Sequence, residues 1–242
     1  MIKLPAIMGH RGESGAAPEN TLAAIRLAAD NGITWVELDG NISSDGIAYL
    51  HHDDTLERCT NGKGYLIQRS SEELDALDAG AWFSSTFINE PLPRLSAVID
   101  LMIERRMGLN LEIKPTAGWE KPTTIAICKL LKDQWPTELP LILSSFSTAA
   151  LNYAAEEWPE SVRGLIVCAI PGNWREQMKE LGCQTFHCAG ELLNESQANE
   201  IKQAGYGLMC WTVNSSDSAK RLHAWGVDTV ISDNPSALKP VT

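Results

Sequence analysis

The chain has 242 residues, of which 44% are hydrophobic and 21% are charged, and its formal net charge is -11. This composition excludes intrinsic disorder as a description of the whole chain, because enough apolar surface is available to build a large core. The negative charge disfavours binding to nucleic acid or to an anionic membrane surface, so an anionic small substrate would need locally placed cations.

No apolar run approaches the roughly 20 residues of a membrane-spanning helix, and the start, MIKLPAIMGH, turns polar too early for a secretory signal. The six cysteines lack CxxC spacing, and several lie in apolar, strand-like runs such as GLIVCAI, which is typical of reduced core residues. We therefore expect a cytoplasmic protein.

Short aliphatic or β-branched runs alternate with helical patterns along the chain. We predict eight strands, at AIMGH, WVELD, LNLEI, LILSS, GLIVC, TFHC, GLMCWTV and TVISD. Helical patterns lie between them, and several end in Gly, as helix C-termini often do. Eight β/α units in a chain of this length predict an α/β fold, a closed TIM (β/α)8 barrel in which residues 1–242 form a single domain.

The first loop, RGESGAAPENT, joins the first predicted strand to the first predicted helix. Its glycines and proline suit a tight connection, and Asn20 is predicted to be the N-cap of the helix. A tight connection alone does not account for a histidine and an arginine at positions 10 and 11. They follow the apolar strand at its carboxyl end, where an α/β barrel collects its functional groups.

The barrel pattern is interrupted by an insertion, roughly residues 41–94, between the second strand and its helix. It contains an extended piece, IAYLH, a capped short helix, SSEELDAL, and an aromatic loop, AGAWFSSTF. Long structured loops are usually functional, and at this end of a barrel such a loop would cover the site.

Three acidic residues stand near the ends of predicted strands. Glu37 and Asp39 are two residues apart and so project to the same side of an extended chain, and Glu112 closes the next strand. Carboxylates that converge in a buried place need protons or a cation, and oxygen ligands suit Mg²⁺ or Ca²⁺. The alternative without a metal is that Arg11 and Lys114 neutralise them.

The insertion also supplies two adjacent histidines, His51 and His52, which face opposite sides of an extended strand, so only one can face the site. That histidine and His10, both beside carboxylates and a guanidinium, are plausible as a general acid and a general base. Two histidines, three carboxylates, an Arg and a Lys are typical of metal-assisted phosphoryl transfer.

The segments HRG, PENT, ELD, HDDTLER, LEIKP, SSF, WTVN and GVDTVISDNP occur in this order along the whole chain. Together they resemble the glycerophosphodiester phosphodiesterase family, and in particular its compact cytosolic bacterial members. The chain departs from the usual family pattern at Gly40 and Ser232, neither of which is a proposed catalytic position. The segment DDTLER, which follows the doubled histidine, places His52 at the family's histidine position.

The resemblance implies the catalytic and metal-binding residues. The catalytic histidines would be His10 and His52. The ligands of a divalent metal, Mg²⁺ or Ca²⁺, would be Glu37, Asp39 and Glu112.

It also implies the residues around them. Arg11 and Lys114 would face the phosphate, and Phe146 and Trp211 would wall the pocket near the glycerol. Three supporting residues would brace the first loop or hold His52, namely Glu19, Asn20 and Asp53. His187, at the end of the sixth predicted strand, is a further candidate for the pocket.

The implied reaction is metal-dependent hydrolysis of a small glycerophosphodiester, such as glycerophosphocholine or glycerophosphoethanolamine, to sn-glycerol 3-phosphate and an alcohol. The attacking oxygen would come from water or from the glycerol 2-hydroxyl. The residues alone leave two alternatives: a metal-dependent sugar isomerase or aldolase on the same barrel, and a ligand-binding barrel that has lost catalysis. We expect no nucleic-acid or membrane partner, and a monomer or homodimer.

Overall fold

The computed structural model describes residues 2–238, and these contain nine strands and eight α-helices. The strands are β1 (Ile7–His10), β2 (Trp35–Ile42), β3 (Ala48–Leu50), β4 (Gly108–Ile113), β5 (Leu141–Ser145), β6 (Arg163–Val167), β7 (Thr185–Ala189), β8 (Gly207–Trp211) and β9 (Thr229–Ser232). The helices are α1 (Leu22–Asp30), α2 (Ser71–Asp75), α3 (Leu95–Glu104), α4 (Glu120–Gln134), α5 (Thr148–Glu157), α6 (Trp174–Glu180), α7 (Glu195–Gln203) and α8 (Ser216–Ala224). None of the helices in this part of the chain has both the length and the apolar character needed to cross a bilayer.

The strands form a closed parallel barrel. All of them except β3 pair in parallel around the ring in chain order, and β9 returns to pair with β1. The short strand β3 instead pairs antiparallel with the end of β2. The predicted TIM barrel is confirmed, and each of the eight predicted strands coincides with one barrel strand.

The inside of the barrel changes from apolar to polar along its length. Five buried side chains fill one end, and residues that precede the strands pack against them; the five are Met8, Trp35, Ile142, Met209 and Ile231. We call these five residues the plug. Side chains on a strand alternate between its faces, so a residue two positions after an inward plug residue also points inward. His10, Glu37 and Trp211 are in this position. The plug closes the amino end of the barrel, so a site can open only at the carboxyl end.

The first helix begins one residue later than predicted. Thr21, not Asn20, is the N-cap: its backbone is extended, and its Oγ1 accepts a hydrogen bond from the backbone N–H of Ala24 at 3.2 Å. Asn20 has a positive φ of 56° and directs its amide to Asp39, with a distance of 2.8 Å between Nδ2 and Oδ2. The predicted N-cap was wrong because this side chain is engaged by a carboxylate of β2.

The insertion has a small core of its own. Its predicted strand and helix are present as β3 and α2, and α2 begins with a capping box between Ser70 and Glu73. The buried core residues are Tyr49, Leu56, Leu66, Leu74, Ala79 and Leu92. The aromatic loop packs edge to face, with ring centroids 5.6 Å apart for Trp82 and Phe83. The insertion therefore folds around its own small core, beside the end of β2 with which β3 pairs.

The cap of α1 offers a test of this local structure. Thr21→Ala should lower the free energy of unfolding by about 1 kcal/mol, because a backbone N–H of the first turn loses its acceptor. Thr21→Ser keeps the hydroxyl and should stay closer to the parent in a denaturant titration. Equal stability of the Ala and Ser variants would contradict the assignment of this cap.

Candidate active site

Three buried carboxylates meet at the mouth of the barrel. Glu37 and Asp39 of β2 and Glu112 of β4 are each less than a tenth exposed, and they offer oxygens that all lie within 4.8 Å of one another. The register between the strands explains this proximity, since Glu112 is the direct partner of Asp39. Such a group of hard oxygen donors can hold a divalent cation.

The protonation of this cluster also fits a cation. Burial raises the pKa of Glu37, and it raises the pKa of Glu112 to about 7, with the charge of Asp39 adding to both effects. Burial alone would raise the pKa of Asp39 as well, but the charges of Arg11 and Lys114 outweigh it and lower that pKa. Around neutral pH the cluster without a metal therefore retains protons, which a cation would displace.

The two cations predicted beside the cluster are present. The Arg11 Nε atom lies 3.1 Å from Asp39 Oδ2, and the Lys114 Nζ atom lies 3.2 Å from Glu112 Oε1. Glu37 accepts the backbone N–H of Arg11 at 3.3 Å. The ion pairs of the metal-free alternative thus exist, but the raised pKa of Glu37 and Glu112 shows that they compensate these two acids incompletely.

Each of the two predicted histidines is held by an aspartate. The Nδ1 atom of His10 lies 2.5 Å from Asp233 Oδ1, and the Nδ1 atom of His52 lies 2.6 Å from Asp53 Oδ1. Burial opposes ionisation of Asp233, but hydrogen bonds led by that from His10 lower its pKa to about 2. An ionised aspartate only accepts, so Nδ1 is the donor in each ring and Nε2 is left for the cleft.

The adjacent histidines face different sides, as predicted, although neither belongs to a strand. His52 lines the cleft together with His10 and Glu37. His51 is buried elsewhere, with its Nε2 atom 2.8 Å from the backbone oxygen of Thr55. Both follow the end of β3 instead of extending it.

An ion-pair network connects the first loop to the insertion. Arg11 donates to Glu19 Oε1 at 2.6 Å, and Arg58 of the insertion donates to Glu19 Oε2 at 2.7 Å. Arg58 also donates through Nε to Asp53 Oδ2 at 2.6 Å. Arg58 therefore connects Glu19, which binds Arg11, to Asp53, which binds His52.

Asp233 and Arg58 were missed as site residues by the sequence analysis. Both lie in segments that carried the family resemblance, ISDNP and HDDTLER. The segments therefore marked these positions, but nothing in the sequence indicated which side chains they would contact.

A cleft lies beside these groups. Phe146 and Trp211 form one wall, with ring centroids 5.6 Å apart in an edge-to-face arrangement. We define the floor of the cleft as the inner residues Asn110, Ile166, His187 and Ile231. A second, more open groove shares His52, Glu112 and Phe146 with the cleft and continues past Lys114.

Comparison with known proteins identifies the family. The model of the glycerophosphoryl diester phosphodiesterase family matches residues 10–237. The chain belongs to this family. A Caldanaerobacter subterraneus protein named glycerophosphodiester phosphodiesterase is 31% identical over 237 residues, which cover 96% of this chain and 95% of that protein.

Solved structures of phosphodiesterases are also similar to this chain. An Oleispira antarctica phosphodiesterase in complex with the product sn-glycerol-3-phosphate matches with a TM-score of 0.95 and 43% identity, over 96% of this chain and 94% of that one. A glycerophosphodiester phosphodiesterase from Agrobacterium tumefaciens matches with a TM-score of 0.81 and 26% identity, over 96% of this chain and 98% of that one.

The predicted family and enzyme class are thereby confirmed, since the family consists of enzymes that hydrolyse glycerophosphodiesters. The sugar isomerase or aldolase alternative has no support in these comparisons. The same holds for the alternative of a barrel that only binds a ligand.

Metal binding by the carboxylate cluster can be tested by thermal unfolding. Mg²⁺ or Ca²⁺ added to chelator-treated protein should raise Tm, because an ion that binds only the folded state stabilises it. The rise should be larger at about pH 8 than at about pH 6, since Glu112 must lose its proton before it can bind a metal. Differential scanning fluorimetry measures both effects.

The matched control for this measurement is Glu112→Gln, which keeps the shape of the side chain and removes its titration. It should lose most of the metal-induced rise and its pH dependence. An unchanged rise in this variant, or a larger rise at the lower pH in the parent, would contradict a metal site here.

Proposed function

We propose that this enzyme hydrolyses small glycerophosphodiesters, such as glycerophosphocholine and glycerophosphoethanolamine, to sn-glycerol 3-phosphate and an alcohol. One observation carries the proposal: two histidines, each held by an aspartate, face the same cleft as a buried cluster of three carboxylates. The Oleispira antarctica relative, with sn-glycerol-3-phosphate as its product, supports the choice of substrate.

Arg11 and Lys114 are proposed to bind the anionic phosphodiester. A phosphodiester resists hydrolysis because its negative charge repels nucleophiles, and fixed cations weaken that repulsion. Arg11 lines the cleft and is anchored to Glu19, so its guanidinium is already oriented before a substrate binds.

Glu37, Asp39 and Glu112 are proposed to hold Mg²⁺ or Ca²⁺, the divalent ions that prefer oxygen ligands. When bound there, the ion supplies Lewis-acid polarisation of a phosphoryl oxygen. The proposal is supported by the buried position of the cluster and by the protons that it retains around neutral pH.

His10 and His52 are proposed to move the protons. One Nε2 atom accepts the proton of the attacking oxygen, which belongs to water or to the glycerol 2-hydroxyl, and the other donates a proton to the departing alkoxide. Attack by the 2-hydroxyl would first form a cyclic phosphate, which water would open to sn-glycerol 3-phosphate in a second step. Asp233 and Asp53 keep the Nδ1 proton in place and stabilise each ring when it becomes positively charged. Positioned proton transfer of this kind contributes about 10²- to 10⁴-fold to a rate.

The two cavities suggest how the substrate lies. The cleft and the groove meet at His52, Glu112 and Phe146, where the phosphate would sit. The cleft, walled by Phe146 and Trp211, would take the glycerol, and the open groove would leave the alcohol near solvent. We therefore propose that the enzyme tolerates different alcohol groups.

We further propose that the enzyme acts in the cytoplasm. The six cysteines are all free, and five of them are buried, which fits a reducing compartment. The net charge of -11 supports small-molecule substrates over nucleic acid or anionic lipid surfaces. A monomer or homodimer stays a prediction.

The activity is tested directly with glycerophosphocholine. Metal-loaded protein should release sn-glycerol 3-phosphate, measured with a coupled dehydrogenase, and excess chelator should abolish the release until Mg²⁺ or Ca²⁺ is added back. Glycerophosphoethanolamine should give a kcat/KM within about tenfold of that value, because its alcohol lies near solvent. Release of phosphocholine instead, or full turnover in excess chelator, would refute the proposal.

The adjacent histidines provide a matched pair of variants. His52→Ala and His10→Ala should each lower kcat by at least about 100-fold with folding intact, as expected for loss of a proton-transfer group. His51→Ala should leave kcat within a few-fold of the parent and act through stability. An inactive His51→Ala beside an active His52→Ala would show that the roles of the two rings are reversed.

A further inference from the structure

A continuous chain of hydrogen bonds runs from the guanidinium of Arg11 to the ring of His52, with Arg58 at its centre. Glu19 accepts from Arg11 at 2.6 Å and from Arg58 at 2.7 Å. Asp53 accepts from Arg58 Nε at 2.6 Å, and its other oxygen lies 2.6 Å from His52 Nδ1. The cation proposed to bind the phosphate is thereby connected, through one arginine, to a ring proposed to move a proton.

Arg58 holds both carboxylates by the planar shape of its guanidinium. Its Nη2 atom donates to Glu19 Oε1 and to Asp53 Oδ1, each at 2.9 Å, so Arg58 makes paired bonds to each acid. A guanidinium presents its N–H groups in a rigid fork, whereas the ammonium of a lysine is a compact charge. Arginine therefore fixes the orientation of the two carboxylates as well as their charge.

Arg11 does not need Arg58 to stay in place. Its Nη1 atom donates to Glu19, and its Nε atom lies 3.1 Å from Asp39 Oδ2. The Arg11 side chain is only 16% exposed. Loss of Arg58 would therefore leave the phosphate-binding cation with two anchors.

Asp53 depends on Arg58 far more. Among residues 2–238, the carboxylate of Asp53 has no hydrogen-bond partner other than Arg58 and His52. The Asp53 side chain is 26% exposed, so without Arg58 it could rotate towards water. The ring of His52 would then lose the group that fixes it.

The charge of Arg58 favours the same arrangement. Hydrogen bonds from Arg58, with that from His52, lower the pKa of Asp53 below its usual range. Burial opposes ionisation of Glu19, but hydrogen bonds led by those from Arg58 lower its pKa to about 2. Both carboxylates therefore stay ionised and act only as acceptors.

The backbone on either side of Asp53 is held independently of Arg58. The backbone N–H of His51 donates to the carbonyl of Asp39 at 3.0 Å, and the carbonyl of Asp54 accepts a backbone N–H of the insertion at 2.9 Å. Removal of the guanidinium should therefore release a side chain and leave the backbone in place.

We propose that Arg58 is a positioning residue, which holds Asp53 in the orientation that fixes the ring of His52 relative to a phosphate bound by Arg11. This role rests on the proposed function. Arg58 lines neither the cleft nor the groove, so it acts through its partners and not on the substrate. Its loss should therefore slow proton transfer and leave binding of the phosphate largely unchanged.

Kinetics and binding separate these two effects. Arg58→Ala should lower kcat for glycerophosphocholine at least about tenfold, because a misplacement of about 1 Å can cost 100-fold in rate. Calorimetry should show a Kd for sn-glycerol 3-phosphate within about threefold of the parent, since Arg11 keeps its anchors. Weaker binding with an unchanged kcat, or no change in either quantity, would overturn the proposal.

Two further variants guard against a general loss of structure. Arg94→Ala removes a second arginine of similar exposure, 40% against 44%, whose paired bonds go to Asp75 away from the cleft, and it should preserve kcat. Arg58→Lys should give an intermediate kcat, because an ammonium cannot hold both carboxylates in the same way, and it replaces Arg58→Ala if that variant does not fold. A cooperative thermal transition checks the folding of each protein. An equal fall in kcat for Arg94→Ala and Arg58→Ala would overturn the proposal.

A double-mutant cycle shows whether Arg58 acts through the ring. In the His52→Ala background there is no imidazole to position, so Arg58→Ala should cause no further fall in kcat. The same fold-reduction in both backgrounds would indicate a separate structural effect and would contradict the proposed role.

Nuclear magnetic resonance tests the positioning without any turnover. In protein labelled with ¹⁵N-histidine, the Nδ1 proton signal of His52 is assigned by its absence in His52→Ala. This signal should be lost in Arg58→Ala and kept in Arg94→Ala, because only the first variant frees Asp53. Turnover of glycerophosphocholine with a signal that Arg58→Ala leaves unchanged removes the positioning role and leaves the proposed function standing. Loss of the signal in an enzyme without turnover supports the positioning of the ring and removes the proposed function.

Discussion

The mutual repulsion of three buried carboxylates organises the functional end of this barrel. Glu37, Asp39 and Glu112 lie within 4.8 Å of one another, away from most of the screening that water provides. Neighbouring groups partly neutralise this charge. Arg11 pairs with Asp39, Lys114 pairs with Glu112, and the side-chain amide of Asn20 in the first loop donates a hydrogen bond to Asp39. Burial and the neighbouring carboxylates still raise the pKa of Glu37 and Glu112. A divalent cation bound to these oxygens would neutralise the negative charge that remains.

The two histidines that are proposed to move protons depend on parts of the chain that are far apart. His10 at the end of β1 is held by Asp233, 223 residues later, and His52 is held from within the insertion. Arg58 then ties the insertion to the first loop through Glu19. Closure of the barrel and docking of the insertion are therefore both required before the two rings can face one cleft, which couples the stability of these elements to the geometry of the site.

The site has two unlike cavities on either side of the carboxylates. The cleft ends on the apolar plug inside the barrel, and unpaired polar atoms are concentrated at its floor, whereas the groove past Lys114 opens to solvent. The proposed substrate, which carries glycerol on one side of its phosphate and a variable alcohol on the other, would fit this asymmetry.

The sequence by itself determined the barrel and the meeting of three carboxylates at one end of it, because both follow from short-range periodicity. Strands and helices alternate visibly, and the two-residue period of a strand places Glu37 and Asp39 on one face. His51 and His52 were expected to diverge for the same reason; they do diverge, but they lie beyond β3, where the strand period no longer applies. The N-cap of α1 was misassigned, since Thr21 and Asn20 are both good caps and only the position of Asp39 decides between them. The partners of His10 and of Arg58, and the unpaired amide of Asn110, were likewise decided by the tertiary structure. These contacts join strands and loops that are distant in the chain, and their geometry is set by closure of the ring and by the packing around each side chain, which no local pattern records.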